Sequence, residues 1–470
     1  MRLTPLSGAL LLVLLPGVVQ AQTKTTYSGS LRLRQEGWDW FKPATGTYQN
    51  AYTFTGAQLR YGVTRSDKTS ESKLELQSSQ LLGLPTRAAA PAPLGALGLG
   101  ATYKAANGTQ TGSLFIKQLY TQKKYPDGTL AKLGRFEFAE GNELIPENPS
   151  LAWVKKQRVS ERLIAGFGWT HVGRAFDGLQ YSKTSKSGTN LTGLLAYPTA
   201  GVFDLDGAKT LTNVRVAYLG ASKATNTEDK RVFGIVYEDT RKGITKSENS
   251  TTAETGALKL YTLGGHYLTT KTSKTGAWDM LAWAALQGGD WGTKKQDASA
   301  YSLEVGYKPK KAMWGAWYRL GYDVTSGDSN PADNTHGTFY AMLNTPRIYA
   351  RTPFYTEANS KDLFFQVMAK PSPKLAVRAD YHSVSLASGK DLWYVAGGPF
   401  QSKPAFGLVG RKTNGSTGLG DLVDVSADYT LSKSATATLY VGQMMGKSVI
   451  QGIYGDKNGL LGYGELTYKF

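Results

Sequence analysis

The chain closes on GYGELTYKF, residues 462–470. Phe470, Tyr468, Leu466 and Gly464 share one parity, and Lys469, Thr467, Glu465 and Tyr463 share the other. Apolar and polar residues alternate with period two, the pattern of a strand with different solvents on its two faces. A soluble domain usually trails off in a frayed polar tail. Here the pattern runs to the last aromatic residue, which predicts that Phe470 is held inside a sheet. A closed barrel supplies that sheet: its last strand lies beside its first, and lipid demands that every backbone group be paired.

The same alternation recurs from residue 27 onward, for example in Tyr27–Glu36, Tyr52–Val63, Asn213–Leu219, Trp317–Val324, Leu375–Val384 and Asp421–Leu431. Short polar turns separate some segments (RSDKTS, YPDGT, SKSG, KTSKTG, PSPK), and they carry the Gly, Pro, Asp, Asn and Ser residues that turns favour. Others are joined by long connections such as NELIPENPSLAWVKKQ and SGDSNPADNTHGTFYAMLNTPRIYARTPFYTEANS. Short turns on one side and long loops on the other describe an outer-membrane barrel. The fold predicted is therefore all-β, a transmembrane antiparallel β-barrel of about 18 strands. No fixed-period repeat suggests a solenoid.

The first residues, MRLTPLSGALLLVLLPGVVQAQ, have a basic start, a short apolar run and a small-residue site at Val19-Gln20-Ala21. They read as a signal peptide over 1–21, leaving 22–470 as the barrel. Cysteine is absent, so an exported chain of this size must draw its stability from a large sheet rather than a disulfide scaffold. The charge of +18 points to an anionic partner, such as lipopolysaccharide or an acidic polysaccharide. Nucleic acid is excluded, because there is no zinc-ligand spacing, basic helix or RNA-binding motif.

Parity assigns the faces. Leu31 and Leu33 point to lipid, leaving Arg32, Arg34 and Glu36 for the lumen; Leu59 and Tyr61 leave Arg60. Val214, Val216 and Tyr218 are assigned outward, with Arg215 inward. Tyr318, Leu320 and Tyr322 leave Arg319 and Asp323 inside. Val377, Ala379 and Tyr381 leave Arg378, Asp380 and His382, while Val423 and Val425 leave Asp424 and Asp428. An arginine near the lipid midplane costs about 2–4 kcal/mol, which drives mid-strand arginines inward. The lumen is thus expected to be lined by guanidinium groups and some carboxylates, and such charged rings set pore selectivity.

The stretch 133–182 is the most specific. It holds Gly134-Arg135 with Glu137, then Glu140, Gly141 and Glu143, Arg162-Leu163-Ile164, Trp169, and Gly173-Arg174-Ala175-Phe176-Asp177-Gly178. With LRLRQE in the first strand and LGDLVDVSADYTLS late in the chain, it resembles the alginate export family of outer-membrane barrels. The resemblance implies an 18-stranded barrel in a Gram-negative outer membrane, with a narrow lumen of arginines and carboxylates that passes an acidic polysaccharide. It adds Arg135, Glu137 and Arg174 to the expected pathway. Strict parity puts Asp177 on the lipid side, and a bulge at Asp177-Gly178 is expected to turn it inward.

No enzyme is predicted. The four histidines, His171, His266, His336 and His382, lack a serine-hydrolase context, and no cofactor loop or metal-ligand spacing is present. His171 and His382 read as strand residues, and His382 shares a face with Asp380, its expected lumen hydrogen-bond partner. A TonB-coupled transporter needs a plug domain for which the early first strand leaves no room. The expected partners are membrane lipid, lipopolysaccharide, the barrel assembly machinery and an anionic solute, with the barrel monomeric and both termini periplasmic. The alternatives are a general diffusion porin and, from another class, an adhesin or a lipid hydrolase.

Overall fold

The structure is a computed structural model that describes residues 23–242, 248–249, 254–395 and 410–470. The expected leader, 1–21, lies outside the described residues. The barrel strands are β1 (Lys24–Asp39), β2 (Ala51–Ser66), β3 (Ser70–Leu82), β4 (Gly112–Lys124), β5 (Thr129–Phe136), β6 (Phe176–Thr184), β7 (Thr189–Pro198), β8 (Val214–Ala224) and β9 (Glu228–Asp239). They continue as β10 (Leu258–Thr272), β11 (Gly276–Trp291), β12 (Lys294–Pro309), β13 (Trp317–Thr325), β14 (Ser360–Ser372), β15 (Leu375–Ser385), β16 (Gly418–Thr430), β17 (Ala435–Gly446) and β18 (Asn458–Lys469). Each pairs antiparallel with its neighbours in sequence, and β1 pairs with β18, closing an 18-stranded barrel.

Closure reaches the last residue. Gly29 N donates to the Phe470 carbonyl at 2.8 Å, and Phe470 N donates to the Gly29 carbonyl at 3.0 Å. Alternation has the cause inferred from sequence. Leu59, Leu133, Leu219, Leu263, Leu303 and Val425 are exposed on the outer face, whereas their sequence neighbours turn inward. At the turn end, Tyr27, Tyr181, Tyr267, Trp278, Tyr307, Tyr429 and Tyr468 form an outward aromatic belt, the side chains suited to a membrane interface.

The inside of the barrel is not a simple aqueous tube. The loop-end half is filled by connections that fold inward and carry an apolar core. Phe136, Leu163, Ile164, Tyr218, Phe233, Tyr237, Trp283 and Leu343 form one such cluster, which mixes loop and wall residues. Inward positions near the loop end are therefore often apolar. This corrects the assignment for β8: Val214, Val216 and Tyr218 are buried inside, and Arg215 points outward, paired with Glu238 of β9. Arg135 is also outward, sharing parity with exposed Leu133, and its Nε lies 2.6 Å from Asp177. The expected bulge at Asp177 is absent, since the β5–β6 and β6–β7 registers run without a shift. These charges sit near the loop end of their strands and satisfy one another across neighbouring strands. There the cost of an outward charge falls from its midplane value to about 0–1 kcal/mol.

Candidate functional site: the lumen and its inward loop

The connection 137–175 is the central feature. It leaves β5 through Glu137, which lies 3.1 Å from Arg60 and 3.5 Å from Lys117 of the wall. A short helix, α1 (Pro149–Val154), follows. Asn148 caps it by accepting from Ser150 N and Leu151 N, and Pro149 starts it with a preset φ. The chain then crosses to the far wall. Lys155 Nζ meets buried Asp229 at 2.7 Å. Arg158 donates to the Ile348 carbonyl at 2.5 Å and packs on Tyr349 and Phe364 at 5.0 Å. Arg162 donates to Asp323 and Glu357, both at 3.0 Å.

The loop tip lies against β1. Arg32 donates to the Gly168 and Thr170 carbonyls at 2.7 and 2.5 Å. Trp169 has two guanidinium groups on its ring, Arg347 at 3.9 Å and Arg34 at 4.3 Å from the centroid. His171 Nε2 lies 3.1 Å from Glu36, and the imidazole occupies the space over Gly56. A Cβ at residue 56 would come within 2.2 Å of that ring, so the wall needs glycine there. His171 is thus a loop residue rather than the strand residue expected, with its proton affinity lowered to about 4 chiefly by burial.

A second inward connection, 326–359, docks on the first by backbone pairing. Leu343 N donates to Leu163 O at 3.0 Å, and Ala165 N donates to Leu343 O at 2.9 Å. Arg347 and Arg351 come from this segment, and the sequence reading missed both. Proline and polar residues between strands mark a loop, but not the direction in which it folds. On the turn side, one cavity of about 590 Å³ is lined by Arg32, Arg60, Glu137, Glu161, Glu465 and Lys469. Another, of about 520 Å³, is lined by Trp153, Trp317, Arg351, Arg378 and Asp428. Trp153 therefore sits over the lumen.

Of the residues assigned to the pathway, Arg32, Arg34, Glu36, Arg60, Glu137, Arg174, Arg319, Asp323, Arg378, Asp380, Asp424 and Asp428 lie on the inner side, and Arg135 and Arg215 do not. The inner set is uneven. Arg319 is sealed between Asp279 and Glu304 (2.7 Å), with its side chain fully buried. Arg34 is held by Glu465 at 2.6 Å. Arg347 differs: its polar partners are the Arg351 carbonyl and the Tyr463 hydroxyl, with no carboxylate within 4 Å among the described residues. His382 pairs with Asp362 at 2.9 Å rather than with Asp380.

A closed 18-stranded barrel with an apolar, aromatic-belted outer face and loops packed in its lumen is an outer-membrane channel of the porin type. The alginate export family profile matches residues 120–447. The chain belongs to that family. No curated protein matches it at a significant level. Among solved structures, it is similar to a BenF-like porin from Pseudomonas fluorescens Pf-5, with 11% identity, 95% of this chain and 98% of that one covered, and a TM-score of 0.59. OccK9 (OpdG) of Pseudomonas aeruginosa gives 12% identity, 95% and 98% coverage and 0.58. OccAB2 of Acinetobacter baumannii gives 10%, 95% and 98%, and 0.56. Identities this low carry the fold alone. Family and fold place the protein in the outer membrane of a Gram-negative bacterium, as a channel rather than an enzyme.

Proposed function

We propose that the lumen passes an anionic solute, with an acidic polysaccharide of the alginate type as the substrate class. The observation that carries this reading is Arg347. It is an inward-loop guanidinium stacked on Trp169, with no carboxylate within 4 Å among the described residues, at the point where the two inward loops meet β1. A uronate carboxylate can accept paired hydrogen bonds from such a group, and arginine does this better than lysine. Arg32 and Arg60 on the turn-side cavity, then Arg347, give successive grips, balanced by Glu137, Glu161 and Glu465 so that each grip releases. The family membership supports a polymer as cargo.

The tight docking of 326–359 on 137–175 favours a second reading, a narrow porin for small anionic solutes, because a polymer needs those loops to part. Adding short uronate oligomers to single channels in a planar bilayer tests both. Concentration-dependent current block that lengthens with oligomer size supports the polysaccharide. Block by monomeric uronate alone, independent of length, supports the small-solute porin. No block by any uronate refutes both.

A further inference from the structure

On the inner wall, Asp380 and His382 of β15 and Asp424 of β16 each offer a ligating atom, and these lie within 4.8 Å of one another. Asp380 and Asp424 stand directly opposite in the β15–β16 register, and His382 is two residues along the same face. All three are at most 3% exposed. Each has one polar atom engaged from outside the cluster. Arg378 donates to Asp380 Oδ2. The Tyr440 hydroxyl donates to Asp424 Oδ2 at 3.0 Å, with Arg351 N adding a contact at 3.4 Å. His382 Nδ1 lies 2.9 Å from Asp362, which also accepts from the Tyr355 hydroxyl at 2.6 Å.

The other atom of each residue, Asp380 Oδ1, His382 Nε2 and Asp424 Oδ1, is buried with no hydrogen-bond partner among the described residues. A buried carboxylate oxygen or imidazole nitrogen left without a partner costs about 1–3 kcal/mol or more, so three together ask for a common ligand. The His382–Asp362 contact completes the argument. A carboxylate that accepts a hydrogen bond from Nδ1–H leaves Nε2 as a lone pair, the arrangement that orients metal-bound histidines. Gln366, the register partner of Asp380 on β14, is fully buried with neither amide atom partnered among the described residues, so unpaired polar surface continues beside the three.

We propose that Asp380, His382 and Asp424 form a site for one divalent first-row transition ion. Two carboxylates balance the ion's charge, and the imidazole favours Zn²⁺ or Co²⁺ over Mg²⁺ or Ca²⁺, which prefer all-oxygen shells. Three protein ligands leave a position open to water or to a solute carboxylate. The ion would also pin β15 to β16 where their wall meets the inward loops. The proposal does not depend on which solute crosses. Sequence spacing gave no hint of it, because an i, i+2 pair and a cross-strand partner form no linear motif.

The test uses the refolded full-length barrel, stripped with a chelator and titrated with Co²⁺. One Co²⁺ per chain is expected, displaced by Zn²⁺, with an X-ray absorption spectrum that shows imidazole scattering. Changing a group that merely orients a ligand typically costs 10–100-fold in affinity, so Asp424→Asn and His382→Gln are each expected to lose about 100-fold or more. Asp428→Asn, outside the cluster, is expected to keep full affinity. Heat-modifiable migration on gels reports whether each variant folds. Folded wild type that takes up no stoichiometric Co²⁺, a spectrum without imidazole, or folded variants that bind as wild type does would each overturn the site. Should neither variant fold, the wild-type stoichiometry and spectrum decide.

Discussion

The guanidinium of Arg347 lies 3.9 Å from the centre of the Trp169 ring, joining the two inward loops at the spot where Arg34 of the wall approaches the same ring at 4.3 Å. Cation–π contacts contribute about 0.5–2 kcal/mol each, so Trp169 clasps the two inward loops to each other and to the wall. Trp169→Ala is expected to raise single-channel conductance and its noise while the barrel still folds. Unchanged conductance in bilayers would show that the tip does not narrow the path.

Arg319 is expected to behave differently although it too faces inward. Its partners Asp279 and Glu304 are buried with it, and removing one member of such a group typically costs about 3–5 kcal/mol. Arg319→Gln should lower the unfolding midpoint in denaturant and leave ion selectivity nearly as in wild type. A large selectivity change with normal stability would make Arg319 part of the path rather than a brace.

The contrast between these arginines shows where sequence reasoning held. Alternation worked at Arg32, Arg60, Arg319 and Arg378 because lipid on one side excludes charge. It failed at Arg215 because the inner side of β8 meets protein, not water, so Val214, Val216 and Tyr218 are as apolar as a lipid-facing set. The placement that the family resemblance implied for Arg135 failed because a partner across the sheet, Asp177, removes the penalty of a charge on the outer face. The inward course of 137–175 and 326–359 was not legible, since it rests on contacts between distant segments such as Ile164 and Leu343.

The Arg135–Asp177 pair gives a test of that second failure. Either Arg135→Gln or Asp177→Asn leaves a lone charge on the outer face, whereas the double variant leaves none. A double-mutant cycle on refolding into lipid vesicles is expected to return a favourable coupling of roughly 1–3 kcal/mol. Additive effects would mean that each charge is satisfied separately by lipid headgroups.

Glu161 lies on the inward loop, on the turn-side cavity, and its acidity is weakened to about 7 by burial and by the charges of Glu137 and Glu140. Its carboxyl is neutral below that pH and negative above it. Anion preference should therefore grow as pH falls from 8 to 6, and Glu161→Gln should flatten this part of the profile at the high-preference level. A wild-type preference that is flat across the range, or one that grows with pH, would contradict the assignment.

The most direct test of anion passage is the reversal potential of single channels in a potassium chloride gradient, for wild type and for Arg60→Gln combined with Arg347→Gln. The account predicts an anion-selective sign in wild type that moves toward zero in the double variant, with folding retained. A cation-selective wild type, or a double variant as anion-selective as wild type, would contradict it.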